Sequence, residues 1–262
     1  MPKKPKLSVI IPSYNEIKNI KRGVLDEVLD YLKKQRYSWE LILSDDGSTD
    51  NTLKELRKFS KKDARIQVIA NEHAGKAQTV KSGMLKAKGR WRLFTDFDQS
   101  TPLKEIEKFW SYTKGQHLHQ YDIIIGSREM IGAKRDKEPW YRHLMGRGFN
   151  LLVQMFAVPG ILDTQCGFKF FSQEATENLF RRLVIYGPDA RYQDAFTGAF
   201  DVELLFLAYR LGFKVREVPI EWVHQETDRV HPIKDSLRMF RDILRMRLAL
   251  MKGRYDLKRE ST

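Results

Sequence analysis

Leu7-Ser8-Val9-Ile10-Ile11-Pro12-Ser13-Tyr14-Asn15-Glu16 runs from an apolar stretch through a proline-bearing turn into a helix-forming segment. Val9, Ile10 and Ile11 are β-branched, which favours a strand over residues 7–11. Residues 17–34 then carry apolar positions at helical spacing. The same unit recurs outward from this point. Apolar runs at residues 40–43, 66–69, 91–94 and 122–125 read as strands, and residues 52–60, 77–86 and 103–112 read as helices between them. Asp50 and Ser100 or Thr101 suit helix caps, with Pro102 in a first turn. Such alternation predicts βαβ units in an α/β fold with a mainly parallel central sheet flanked by helices, and ligands bind at the carboxyl ends of its strands.

The remainder is less regular. Residues 139–158 read as a long helix with an apolar C-terminal part, residues 167–171 and 214–220 as strands, and residues 201–211 as a helix. A last helix over residues 235–252 places Leu237, Phe240, Leu244, Leu248 and Met251 at spacings of three and four, with Arg238, Arg241, Arg245, Arg247 and Lys252 on its other faces. The apolar stripe predicts packing on the body of the domain. Neither a repeat nor a linker interrupts the chain, so residues 1–230 read as one domain and residues 231–262 as a basic amphipathic helix and tail.

Composition narrows the classes. The 262 residues hold 47 Lys+Arg against 34 Asp+Glu, a formal net charge of +13, with 42% hydrophobic and 11% aromatic residues. That suffices for a buried core and excludes disorder. One cysteine, Cys166, excludes an intrachain disulfide and a Cys-rich zinc site. It reads as a packing residue rather than a nucleophile. The N-terminal residues lack an apolar signal core, and no stretch approaches the ~20 apolar residues that span a bilayer. The basicity asks for an anionic partner: nucleic acid, anionic lipid or a phosphorylated small molecule.

Residues just beyond the strands choose among these. Pro12–Glu16 follows the first run, Ser44-Asp45-Asp46-Gly47-Ser48-Thr49-Asp50 the second, and Thr95-Asp96-Phe97-Asp98-Gln99-Ser100 the fourth. Asp96 and Asp98, two apart, point to one side in extended backbone. Hard carboxylate ligands without nearby His or Cys favour Mg²⁺ or Mn²⁺ held together with substrate phosphates. Three acidic clusters would repel a nucleic-acid backbone, which argues against that partner. No Walker loop or GxGxxG is present, and a nucleotidylyltransferase would want a glycine-rich basic loop where Pro12–Glu16 stands.

The order Pro-Ser-Tyr-Asn-Glu, Asp-Asp-Gly-Ser-Thr-Asp, Gly75-Lys76 and Asp-x-Asp resembles family-two glycosyltransferases with the GT-A, Rossmann-like nucleotide-sugar fold. Gly126-Ser127-Arg128, Asp163-Thr164-Gln165-Cys166-Gly167-Phe168-Lys169 and Asp201-Val202-Glu203 resemble the polyprenyl-phosphate sugar synthases, most closely the dolichyl-phosphate glucosyltransferase branch. The resemblance covers about residues 7–255. It implies a nucleotide-binding half over residues 7–127 and an acceptor-binding half over residues 128–230, with residues 139–158 lying at the membrane interface. Pro12, Tyr14, Glu16, Asp45, Asp46 and Lys76 would hold the nucleotide-sugar, Asp98 the metal, and Asp96 the metal, ribose and sugar. Mannosyl synthases often carry a metal-binding Gln where this chain has Ser100, with Gln99 one place early, which leaves the third protein ligand open.

The resemblance further implies inverting transfer of glucose from UDP-glucose to a dolichyl phosphate. GDP-mannose as donor, or a glycan as acceptor, are the alternatives. A phosphate monoester with a second pKa near ~6 needs little help from a base. Arg128, Arg142 and Arg229 are candidate phosphate clamps, Asp201 and Glu203 would orient donor or arginine, and His224 would either approach the diphosphate or serve the structure. Residues 128–154 hold six Lys/Arg against three Asp/Glu before the apolar 149–156. That suits an interfacial helix and peripheral attachment at the cytosolic face of a membrane, aided by a membrane-anchoring partner or self-association.

Overall fold

The computed structural model describes residues 4–113, 120–136, 153–187, 199–225 and 232–260. The helical reading of residues 139–158 falls mostly outside them, as do Arg142 and Arg229. Strand β1 (Leu7–Ser13), β2 (Trp39–Asp45), β3 (Ile66–Ala70), β4 (Trp91–Thr95), β5 (Ile123–Ser127), β7 (Phe168–Ser172) and β8 (Val215–Pro219) form one sheet in the order β3-β2-β1-β4-β7-β5-β8. All neighbours are parallel except β7, which runs antiparallel to both β4 and β5. The mainly parallel sheet expected from the sequence is therefore present. A short ribbon pairs β6 (Lys134–Asp136) with β9 (Glu221–Val223).

Every residue of β1 and β2 is buried, as befits central strands covered on both faces. Alternation along β1 divides the core. Ile10 joins the cluster under α4 (Lys76–Lys86), α5 (Gln173–Arg181) and α6 (Phe200–Arg210). Leu7, Val9 and Ile11 face α2 (Val24–Lys33) and α3 (Thr52–Ser60). The order reverses at β1, which has β2 on one side and β4 on the other. A crevice opens beyond the carboxyl ends of strands at such a switch point.

Three local expectations are corrected. The helix expected over residues 17–34 is two helices, α1 (Ile17–Lys21) and α2, because Gly23 takes φ 87°, a left-handed value that ends one and starts the other. Residues 103–112 wind as 3-10 turns, Leu103–Lys108 and Trp110–Thr113, rather than as an α-helix. There Phe109 and Trp110 both make ring contacts with Phe170 of β7, so aromatic packing overrides the 3.6-residue period. The third correction concerns α7 (Pro232–Met251). Its core face is Met239, Ile243, Met246, Ala249 and Leu250. Leu237 and Met251 of the expected stripe are 66% and 81% exposed, and Leu244 and Leu248 are exposed with them. At about 100° per residue the two apolar faces lie roughly 160° apart, so one helix cannot pack both on the same body. Asp242 accepts from the Tyr186 hydroxyl (2.6 Å) and the Tyr255 hydroxyl donates to Glu203 (2.7 Å), fixing α7 and the following tail on the domain.

Candidate active site

At the end of β1, Pro12 is buried in the sheet and Asn15 takes φ 54°. From there the Asn15 side chain accepts from the amide of Thr49 (2.9 Å), tying the first strand's turn to the second's. Tyr14 stacks on His73 with ring centroids 4.4 Å apart, and Glu16 lies buried with its carboxylate accepting from Asn19 (2.5 Å). The two aspartates at the end of β2 are also buried. Asp45 accepts from the hydroxyls of Ser13 (3.2 Å) and Ser48 (2.6 Å) and from the Ser48 amide (2.9 Å). Asp46 accepts from the amides of Ala74 (2.9 Å) and Gly75 (3.0 Å), with His73 Nδ1 3.0 Å away. Both carboxylates therefore brace the loops that frame the crevice. Between them and residues 71–73 only glycine fits. Gly47 has φ 67°, and a Cβ there would lie 2.9 Å from the His73 amide nitrogen.

Asp46 thus holds the start of α4 in place, and α4 begins with Lys76. The Lys76 ammonium lies 2.5 Å from Asp96 Oδ1, beyond the end of β4. Burial by itself would lower the Lys76 pKa. The carboxylates of Asp96, Asp201 and Asp98 outweigh it and raise the pKa above the ordinary lysine value. Residues 96–99 turn instead of continuing extended. Asp98 Oδ1 accepts from the Ser100 amide (2.9 Å), and Arg22 donates to the Asp98 carbonyl (2.8 Å). Burial, and then the charge on Asp96, push the Asp98 carboxyl above the usual range. Crowded carboxylates of this kind suit a bound cation. Among the described residues no group of three His, Cys, Asp or Glu gathers to hold a metal alone. Two carboxylates completed by ligand phosphates match how Mg²⁺ and similar hard ions are held, so the donor set fits a divalent cation at Asp96 and Asp98.

β7 supplies the floor. Its register sets Phe168 opposite Thr95, which brings Gly167 against Asp96. A Cβ on Gly167 would lie 1.9 Å from Asp96 Oδ2, so this glycine is what lets the carboxylate sit there. Lys169 is fully buried and donates to Asp201 Oδ1 (2.5 Å) at the first turn of α6. Glu203, two residues along, accepts from the amides of Val184, Ile185 and Tyr186 and from the Tyr255 hydroxyl, so it holds that loop and the C-terminal tail. Arg128 is clamped by Asp163 through Nε (2.8 Å) and Nη2 (2.9 Å), and lies over the Trp222 ring. Cys166 is buried and its thiol is pushed up to about 12 by burial, which takes it away from nucleophilic chemistry. His224 lies on the β6–β9 ribbon, its amide donating to the Asp136 carbonyl (3.0 Å). Asp96, Asp98 and Asp201 therefore gather around Lys76, whereas Asp45, Asp46 and Arg128 are held by partners outside that group.

Residues 8–180 match glycosyl transferase family 2. The chain belongs to that family. Dolichyl-phosphate beta-glucosyltransferases from Dictyostelium discoideum and Homo sapiens are 32% and 33% identical to this glycosyltransferase, covering 96% of it and 77% and 78% of their own lengths. Among solved structures, the mannosyltransferase PcManGT from Pyrobaculum calidifontis, in complex with GDP-Man and Mn²⁺, superposes with a TM-score of 0.57 at 17% identity, over 93% of this chain and 65% of its own. Glucosyl-3-phosphoglycerate synthase from Mycobacterium tuberculosis, in complex with Mn²⁺, UDP and glucosyl-3-phosphoglycerate, gives 0.54 at 17% identity, over 95% and 80%. These establish the GT-A fold of the chain.

Sequence reasoning left Lys169, His73 and Arg22 without roles. A lysine inside Phe168-Lys169-Phe170-Phe171 could have announced a buried acidic partner, because a lone charge is not tolerated among buried phenylalanines. Arg22 carries no such signal; only folding brings it to Asp98.

Proposed function

We propose that this glycosyltransferase transfers glucose from UDP-glucose to a dolichyl-type polyprenyl phosphate, with inversion, at a membrane surface. The observation that carries the reading is the convergence of Asp96, Asp98 and Lys76 at the switch point of the sheet, in a chain whose relatives are named dolichyl-phosphate beta-glucosyltransferases. Pro12, Tyr14 and Glu16, with the loops braced by Asp45 and Asp46, would frame the nucleotide. A divalent cation, Mg²⁺ or Mn²⁺, held by Asp98 and Asp96, would supply Lewis-acid stabilisation of the leaving diphosphate. Lys76 starts on Asp96 and is within reach of the same anionic ligand. An acceptor phosphate oxygen bonds to the anomeric carbon as the bond from that carbon to the diphosphate oxygen breaks. The nucleoside diphosphate leaves with the electron pair, and a dianionic acceptor has no proton to give up. Asp201, fixed by Lys169, positions groups around the reacting centre. Arg128, Arg142 and Arg229 remain the proposed contacts to the acceptor phosphate, and Arg128 would exchange Asp163 for it.

No described helix is long and apolar enough to cross a membrane. The outward stripe of α7 supports attachment to an anionic bilayer surface, and the cytosolic side is the side proposed. Leu237, Phe240, Leu244, Leu248 and Met251 form one face. Arg238, Arg241, Arg245 and Lys252 flank it on one side and Arg247 on the other. Phe156 makes a ring contact with Phe240 (6.0 Å) and extends the same surface together with exposed Met155. Incubation with Mn²⁺, dolichyl phosphate and labelled UDP-glucose should label the lipid. Labelling from GDP-mannose alone would overturn the glucose assignment, and labelling of only a soluble glycan would overturn the lipid acceptor. Asp98→Ala should abolish Mn²⁺-dependent binding of UDP-glucose, and unchanged affinity would remove Asp98 from the site.

A further inference from the structure

Arg22 is an exposed side chain, yet both of its terminal nitrogens are engaged. Nη2 donates to the Asp98 carbonyl (2.8 Å) and Nη1 to the side-chain oxygen of Gln225 (2.8 Å). One guanidinium thus joins the α1–α2 junction to the turn after β4 and to the residue two beyond β9. Its place depends on the break between the two helices. Gly23 supplies the left-handed φ of 87° there, and no atom lies within 4 Å of where its Cβ would stand. Conformation and not crowding therefore calls for glycine, and the break sets Arg22 beside Asp98.

What Arg22 holds is a strained peptide. Gln99 has φ 52°, a left-handed value that a non-glycine residue keeps only where its surroundings enforce it. The peptide between Asp98 and Gln99 is gripped at both ends. Its N–H donates to the Asp96 carbonyl (3.3 Å), and its carbonyl accepts from Arg22. Return of Gln99 to a negative φ would swing the Asp98 carbonyl off Arg22 and reopen the turn. Asp98 Oδ1 accepts from the amide of Ser100 (2.9 Å), one residue past Gln99, so the same closed turn aims the carboxylate. On its far side the turn is tied to β9, whose Val223 amide donates to the Ser100 carbonyl (2.8 Å).

We propose that Arg22 is a positioning residue, which grips the Asp98 carbonyl, keeps the 96–100 turn closed and so sets the Asp98 carboxylate for the divalent cation. The role rests on the reading of Asp96 and Asp98 as ligands of that cation. It works through the backbone and not through contact with substrate, and this has a consequence. Glycine at position 99 adopts the left-handed angle without strain, so it should make Arg22 partly dispensable. A direct contact from Arg22 to a ligand phosphate would be lost whatever residue stands at 99.

The test compares wild type, Arg22→Ala, Gln99→Gly and the double variant. Calorimetry measures nucleotide affinity with Mn²⁺ and in EDTA, using UDP and in parallel GDP, and the tighter-binding nucleotide is scored. The ratio of the two affinities reports the cation, and thermal unfolding is followed without ligand. In wild type Mn²⁺ should tighten binding. Arg22→Ala should reduce the ratio about tenfold, the scale of one hydrogen bond from a charged donor. Affinity in EDTA should stay unchanged, and the Tm should lie within about 2 °C of wild type, as befits an exposed side chain. In the Gln99→Gly background the same change should cost less than about threefold. An unchanged ratio in Arg22→Ala, an equal loss with and without Mn²⁺, or the same tenfold loss in both backgrounds would each overturn the positioning role. A fall in Tm that accompanies the loss of affinity would show a structural role and overturn it as well. A wild type whose affinity ignores Mn²⁺ would remove the cation site and this role with it, whereas an unchanged ratio beside a Mn²⁺-dependent wild type fails Arg22 alone.

Discussion

Two lysine–carboxylate pairs of equal length stand on either side of the crevice floor and behave as different kinds of object. Lys76 and Asp96 meet at 2.5 Å with 24% and 39% of their side chains exposed, whereas Lys169 and Asp201 meet at 2.5 Å with 0% and 5% exposed. Water can replace either member of the first pair, so that pair can be traded for a cation on Asp96 and an anionic ligand on Lys76. Nothing can replace a member of the second without leaving a charge in the core. We assign the open pair to the proposed chemistry and the closed pair to the frame that holds it, although the same residue types make both.

The closed pair should break most dramatically. Lys169→Met leaves Asp201 buried and unpaired, and unfolding in urea should show a loss of about 3–5 kcal/mol. The double variant Lys169→Met/Asp201→Asn should recover part of it, and a cost below 1 kcal/mol for the single change would remove the distinction between the pairs. Gly167→Ala presses on the open pair from below, because its new Cβ would displace the Asp96 carboxylate. A loss of about 1–3 kcal/mol is expected, together with weaker Mn²⁺-dependent binding of UDP-glucose by calorimetry.

A third pair, Arg128–Asp163, lies between the extremes. Burial would raise the Asp163 pKa, yet the Arg128 guanidinium holds it at about 2, below its ordinary 3.8. A depressed carboxyl contributes stability above the unfolded value and loses it as pH falls towards the folded one. Between pH 4 and pH 2 wild type should lose about 2 kcal/mol more than Asp163→Asn, as measured from urea midpoints. The smallest effect on the fold belongs to the open pair itself. Lys76→Ala should cost under about 1 kcal/mol of stability while lowering UDP-glucose affinity about tenfold. Equal damage to stability and affinity would show the pair to be structural.

Legibility followed the same division. The strand-end clusters 12–16, 44–50 and 95–100 were readable because a parallel sheet delivers each strand's carboxyl end to one edge, whatever the rest of the chain does. Which carboxylates stay available was not readable. Asp45, Asp46, Asp96 and Asp98 look alike in sequence, yet the first two accept from the amides of Ser48, Ala74 and Gly75, whereas Asp96 meets the partly exposed Lys76 ammonium and Asp98 accepts from the Ser100 amide. Periodicity likewise finds two apolar faces on α7 and cannot say which one meets the core. That choice rests on Tyr186 and Glu203, which from distant parts of the chain hold Asp242 of the helix and Tyr255 just beyond it.

The sequence by itself determined the α/β architecture, the family and the edge of the sheet where ligands belong, since those depend on local hydrophobic periodicity and short motifs. The tertiary structure decided which lysine is buried, that Gly167 makes room for Asp96, and that Leu237 and its stripe face outward. Each of these depends on contacts between residues far apart in sequence, such as β7 inserted between β4 and β5, and no local pattern encodes the burial that sets the worth of a charge.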